Sequence, residues 1–335
     1  MCPPALNFSG SRLSFGHVAK RDIIVIGASA GGVEACCEVL RGLPSDLPAA
    51  IFIVQHVGPA SVLANVLAKC TGLSVANASD GESIQKGRAY VAPPDHHLLL
   101  HDGEMTLSKG PRENRQRPSV DALFRSAARA YRSRVIAVVL TGALDDGAAG
   151  AFAVKRRGGV VIVQDPQTAL FPSMPENARR AAPADYSLPV TKIAAELIRL
   201  VREEGRMPKR KSSAGRKPPT KRSPVVTRRA PSQAAAPFSC PDCGGPLFQD
   251  GNGPPGHLKC LIGHAYGPES LSESHRDALE RALLTTIRLL KERASVHRHL
   301  AIARTERENG KDRFREFANT AEQEAALLQE ILEKI

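Results

Sequence analysis

The chain has 335 residues, with 46 Lys and Arg against 34 Asp and Glu, for a formal net charge of +12. A hydrophobic share of 42% is enough for a buried core and excludes wholesale disorder. No apolar run approaches the roughly 18 residues of a membrane-spanning helix.

Residues 1–20 show no periodicity, carry no charged-then-apolar secretory pattern, and read as a loose lead-in. From Asp22 short apolar runs alternate with amphipathic stretches. The pattern predicts a strand over Ile23–Ile26, a helix over Gly32–Arg41, a strand over Ala50–Val54 and a helix over Ser61–Cys70. Ala89–Ala92, His97–His101 and Met105–Ser108 read as hairpins. Then come a helix over Ser119–Tyr131, a strand over Val135–Leu140, a helix over Gly147–Arg157, a strand over Val160–Val163, and a last helix to about Arg202, N-capped by Thr191. Fully apolar strands alternating with helices predict an α/β domain over residues 21–203, with a doubly wound, mostly parallel sheet covered on both faces.

Composition changes abruptly afterwards. Arg206–Arg229 holds ten Lys and Arg, four prolines and no acid, so 204–236 reads as a basic, disordered Pro/Ser-rich linker. Ten of the twelve net positive charges therefore belong to a tether. That reduces nucleic-acid binding through the linker and knuckle to a minor alternative. A Cys/Gly/Pro/His-rich segment follows over 237–266, then a helical tail over 267–335 with a break at Asn309-Gly310. Leu279, Leu283, Ile287, Leu290, Ala294, His297 and Ala301 form one apolar stripe, the pattern of a helical hairpin or coiled-coil arm that packs on itself or on a helical signalling partner.

Gly27-Ala28-Ser29-Ala30-Gly31-Gly32 joins the first strand to the first helix, at the carboxyl edge where ligands gather in such sheets. A dinucleotide site would want glycine at position 29 and an acid after the second strand. That strand ends instead in Gln55-His56. A nucleophile elbow and a purely structural turn remain, and partners decide between them. A serine needs a base, and the base needs an orienting acid. His56 follows the second strand, and Asp145-Asp146 follow Val135–Leu140 at the same edge; at least one of these aspartates could cap the next helix. The order Ser…His…Asp differs from the lipase-type order.

At these residues the sequence resembles the CheB-type chemotaxis protein-glutamate methylesterases. The resemblance is carried by Ile24–Gly32, by Gln55-His56, by Gly110–Asp121, by Leu140–Gly142 with Asp146-Gly147, and by Ser173-Met174-Pro175. It covers about 21–203 and implies hydrolysis of γ-glutamyl methyl esters on chemoreceptor cytoplasmic helices, with glutamine deamidation a possible second activity. It also implies Ser29 as nucleophile, His56 as base, and Asp146, the aspartate directly before glycine, as orienting acid. Ala30, Ala143 and Met174 would line the site and its oxyanion region; Ala30 and Ala143 stand where the family commonly has threonine and methionine. No cofactor is expected for catalysis. Many members begin with a receiver domain, and this chain is expected to lack one. Arg112, Arg115 and Arg117 could steer the acidic substrate. The competing class is a non-catalytic adaptor that keeps the fold as a platform.

Cys240-Pro-Asp-Cys243, sixteen residues, then Cys260-Leu-Ile-Gly-His264 has the paired-donor spacing of a structural zinc site; His257 is a spare ligand. Of the other cysteines, Cys36, Cys37 and Cys70 read as small core residues or surface thiols. An odd count of seven cysteines points to a reducing cytoplasm.

Overall fold

The structure, a computed structural model, describes residues 20–58, 62–203, 235–303 and 308–334. The lead-in and nearly all of the basic linker lie outside the described residues.

The chain proceeds β1 (Ile23–Ala28), α1 (Gly32–Arg41), β2 (Ala50–Gln55), α2 (Leu63–Ala68), β3 (Ser74–Asn77), β4 (Arg88–Val91), β5 (His97–Leu100), β6 (Met105–Ser108), α3 (Val120–Tyr131), β7 (Val135–Val139), α4 (Ala148–Arg156), β8 (Val160–Gln164), α5 (Ser173–Ala181), β9 (Tyr186–Leu188) and α6 (Val190–Arg202). Seven strands form one sheet in the order β3-β4-β2-β1-β7-β8-β9, and every neighbouring pair is parallel. The winding reverses beside β1: β2 lies on one side of it and β7 on the other. Ligand crevices open at such a switch point.

Alternation along the strands explains the two-sided core. Ile24, Ile26 and Ala28 of β1 face one layer with residues of α1, α2 and α6. Ile23 and Val25 face the other, with Leu123, Phe124, Ala127 and Ala128 of α3 and Val154 of α4. Fully burying each large aliphatic side chain contributes about 1.5–3 kcal/mol, so β-branched runs open to neither face favour the sheet interior.

Several local expectations change. Ala89–Val91 is part of a buried parallel strand, β4, because its residues bridge β2 and β3 in register; of the segments read as hairpins, only β5 and β6 pair as one. The short strands β3 and β9 and the helix α5 escape periodicity reading. Helix α6 is preceded by Pro189, not capped by Thr191. Cys37 and Cys70 are joined by a disulfide, where the sequence reads as thiols; the α1–α2 packing brings together residues 33 apart.

Beyond the linker, β10 (Ala235–Ser239), β11 (Pro246–Gln249), β12 (Leu258–Cys260) and β13 (Ala265–Tyr266) form a small antiparallel sheet. Two long helices follow, α7 (Pro268–Ala303) and α8 (Glu308–Leu332). The expected break at Asn309-Gly310 falls inside α8. Ala294 packs with Ala318 and Ala321, His297 stacks on Phe314 and meets Phe317 at a tilt, and Arg298 pairs with Glu322. From Ala294 to His297 the α8 partners step back from 318 and 321 to 314 and 317, so the pair is an antiparallel hairpin.

Candidate active site

Ser29 follows β1, and Gly31 behind it takes a left-handed φ of 69° at the start of α1. A side chain at Gly32 would lie 2.1 Å from Gln55 Oε1, so the turn can close only on glycine there. Gln55 Nε2 donates to Ser29 O at 2.6 Å and to His56 O at 3.2 Å, tying the ends of β1 and β2 together. Ser29 N donates to Thr141 O at 3.0 Å. Thr141 Oγ1 donates to Ala30 O at 3.1 Å and accepts from Phe171 N at 2.8 Å. One threonine thus pins the turns after β1 and β7 to the loop before α5.

The structure brings Ser29, His56 and Asp146 together. His56 Nδ1 lies 3.0 Å from Ser29 Oγ, and Nε2 lies 2.9 Å from Asp146 Oδ2. A carboxylate only accepts, so the proton belongs on Nε2 and Nδ1 is left free to accept from the serine. Asp146 is 2% exposed, yet its oxygens are well satisfied. Besides His56, it accepts from Ser119 Oγ, Val120 N and Asp121 N at the head of α3, and from Asn114 Nδ2, at 2.7–3.1 Å. Burial opposes its ionisation, but these donors, with His56 first, hold the carboxyl below the ordinary carboxylate range. Asp121, equally buried, is pushed upward by burial and by the charge of Asp146.

Asp145 does something else. It accepts from Glu269 N at 2.9 Å and from Ser270 N and Oγ, capping α7. Met174 packs where a Gly142 side chain would stand, 2.1 Å from Sδ and 2.9 Å from Ser29 Cβ. The amides of Ala30 and Ala143 have no intramolecular acceptor among the described residues, and Ala143 is exposed. Leu170, 75% exposed, and Phe171 stand on the rim, Leu170 against Gly31.

Of the three arginines, Arg115 pairs with Asp277 of α7 and Arg117 with Asp95, while Arg112 is exposed. His257, the spare ligand of the sequence reading, is elsewhere: it is 2% exposed, 4.0 Å from Asp121 and 3.4 Å from Asp250. Gln55, Asn114, Ser119, Asp121 and Thr141 carry the site's support and were legible only as members of motifs, without roles.

Cys240, Cys243, Cys260 and His264 converge, with their ligand atoms all within 4.8 Å of one another. Cys243 and Cys260 sulfurs are 3.7 Å apart, and His264 Nδ1 is 3.6 Å from the sulfurs of both Cys240 and Cys260. Tetrahedral zinc with bonds of about 2.3 Å to sulfur and 2.0 Å to nitrogen requires edges of roughly 3.5–3.8 Å. Gly244 and Gly263 sit at positive φ, 71° and 119°, in the two knuckles, where a side chain would be strained. The donor set therefore fits a structural zinc.

Ser29, His56 and Asp146 converge at the switch point of a parallel sheet, an arrangement shared by the class of serine-type hydrolases. The chain belongs to the CheB methylesterase family, which matches residues 24–197, and is a carboxylic ester hydrolase. A relative in Leptospira interrogans is 43% identical over 182 residues, covering 53% of this chain and 94% of the relative. The protein-glutamate methylesterase/protein-glutamine glutaminase of Thermotoga maritima is 42% identical over 185 residues; these are 53% of this chain and 54% of that protein, about half its length. The crystal structure of the Thermotoga maritima CheB methylesterase catalytic domain superposes with a TM-score of 0.53 at 40% identity, covering 55% of this chain and 100% of that one. Residues 235–334 lie outside the family match.

Proposed function

We propose that the protein hydrolyses γ-glutamyl methyl esters on the cytoplasmic helices of chemoreceptors, with Ser29, His56 and Asp146 as its catalytic triad. The observation that carries this reading is the pair of hydrogen bonds on opposite sides of the His56 ring, 3.0 Å to Ser29 and 2.9 Å to Asp146. Ser29 Oγ attacks the ester carbonyl while His56 Nδ1 takes its proton. Asp146 keeps the Nε2 proton in place and stabilises the imidazolium. The tetrahedral oxyanion is met by the free amides of Ala30 and Ala143. His56 returns the proton to the leaving methoxide, methanol departs, and water activated by the same nitrogen resolves the acyl-enzyme to glutamate. A glutamine side chain would follow the same path with ammonia leaving, as the glutaminase in the Thermotoga relative's name suggests.

The exposed Leu170 and Phe171 suit the apolar surface of a receptor helix, and Arg112 remains available to steer acidic side chains. Arg115 and Arg117 have internal partners and would steer only by giving these up. The zinc, held by Cys240, Cys243, Cys260 and His264, would supply structure to the small sheet and no step of the reaction. Among the described residues no helix is long and apolar enough to cross a membrane, and a cytoplasmic setting matches the proposed substrate. Methanol release from methylated receptor fragments tests the proposal: wild type releases it and Ser29→Ala does not. Equal release by both refutes the triad.

A further inference from the structure

We propose that Asn114 is a positioning residue for Asp146 and that the C-terminal module sets its position, so that a docked tail is part of a competent active site. The inference rests on the reading of Asp146 as the triad acid. Asn114 is 1% exposed and left-handed, with φ 49°, a conformation that asparagine tolerates only at some cost. Its side-chain amide and its backbone N–H are all used. Nδ2 donates to Asp121 Oδ2 at 2.8 Å and to Asp146 Oδ1 at 2.9 Å. Its backbone N–H donates to Ala265 O at 2.7 Å, and its Oδ1 accepts from Gly267 N at 2.8 Å.

Two of these four bonds go to the segment between the knuckle and α7. Gly267 N–H requires the oxygen of the amide on its side, which turns both amide hydrogens toward the two carboxylates. Without the tail, Oδ1 loses its donor and the backbone loses the acceptor that holds an unfavourable φ. The orientation that serves Asp146 is therefore set from outside the catalytic domain.

A second tail residue reaches the same network. His257, from the turn between β11 and β12, faces Asp121 at 4.0 Å, and Asp121 shares the Asn114 amide with Asp146. The charged groups around this point are Asp121, Asp146 and His56 from the catalytic domain and His257 and Asp250 from the small sheet, with Arg125 held by Glu113 close by. Docking is close-fitting: a side chain on Gly267 would lie 2.2 Å from Asp145 Oδ2, and Arg115 clamps Asp277 further along α7.

The test uses the full chain and two substitutions, Asn114→Ala in the catalytic domain and Gly267→Ala in the tail. Methanol release is followed against pH, and the proton between His56 and Asp146 is followed by NMR. Asn114→Ala is expected to lower kcat on the order of 10–100-fold with KM within about threefold, and to move the acidic limb of kcat upward in pH. Gly267→Ala is expected to do the same on the order of tenfold, and both shift or broaden the His56 proton signal. Wild-type kcat, acidic limb and proton signal in Gly267→Ala overturn the proposal, whether its tail stays folded or not. An unchanged acidic limb in Asn114→Ala also overturns it. Ser29→Ala separates the two readings: if it releases methanol like wild type, the triad fails, while the proton signal still reports whether the tail positions Asp146.

Discussion

Asp145 and Asp146 are neighbours in the chain and serve helix N-termini in two different parts of the molecule. Asp146 receives the head of α3 and His56, whereas Asp145 receives the head of α7. The chain turns at Leu144, which is left-handed at φ 64°, just before the pair, and at Gly147, at φ 99°, just after it. One turn therefore presents one carboxylate to the catalytic crevice and the next to the tail.

The two substitutions should separate accordingly. Asp146→Asn removes the acceptor that orients His56, and kcat for methanol release is expected to fall by about 10³–10⁴-fold. Asp145→Ala removes a helix cap and should cost about 1–2 kcal/mol of tail stability, read as a lower melting temperature of the α7–α8 signal. Its kcat should fall only on the order of tenfold, as for Gly267→Ala. A thousandfold loss in Asp145→Ala would assign the acid to the wrong residue.

The lowered pKa of Asp146 makes a pH prediction. Its folded pKa lies below the unfolded value of about 3.9, so its ionised form stabilises the fold. That contribution is fully present above the unfolded value and is lost as pH falls through the folded one. Thermal melts of wild type and Asp146→Asn should therefore differ by a constant amount from neutral pH down to about 5 and converge below about 4. Parallel curves throughout would contradict the assignment.

Gly142 has no room for a side chain, since Met174 Sδ and Ser29 Cβ would be 2.1 and 2.9 Å away. Gly142→Ala should displace Ser29 relative to His56, lowering kcat on the order of 100-fold. The overpacking should cost about 1–3 kcal/mol. Activity assays and denaturant melts read these two effects separately.

The core cluster of the small sheet is Cys240, Leu247, Leu258, Cys260 and Tyr266 with Leu271 of α7, too few side chains among the described residues to hold a fold unaided. Purified full-length chain should carry one zinc, and Cys260→Ser should carry none. Removing the metal should expose His257 and release α7 from Asp145, seen as loss of protection at Glu269 and Ser270 amides in hydrogen exchange. Full protection in the metal-free chain would show that the sheet stands without it.

Most of the sheet was readable because a buried parallel strand must be apolar on both faces, as Ile23–Ala28, Ala50–Gln55 and Val135–Val139 are. Strands β3 and β9 were not. Ser74–Asn77 is half-exposed and polar at both ends, and Tyr186–Leu188 is three residues long; neither carries a period of its own. Thr191 reads as a helix cap in isolation, yet Pro189 precedes the helix, since packing of Ile193, Leu197 and Leu200 in the core sets where α6 begins. The disulfide joins Cys37 of α1 to Cys70 in the turn after α2, a proximity that no local pattern states.

Ser29, His56 and Asp146 were singled out as strand-end residues, and Cys240, Cys243, Cys260 and His264 as spaced pairs. Both signals are local: a short strand carries its last residue to the sheet edge, and a knuckle needs its two ligands within one turn. Sequence by itself thus determined the family, and its local signals singled out Ser29, His56 and Asp146 and the Cys/His quartet. Tertiary structure alone decided that Asp145 holds the tail, that His257 faces Asp121 instead of a metal, and that Asn114 spans both parts of the chain. These depend on where helix N-terminal donors and buried carboxylates meet across more than a hundred residues. Each such meeting is settled by the cost of leaving a buried polar group unpaired, and that cost exists only once the chain has folded.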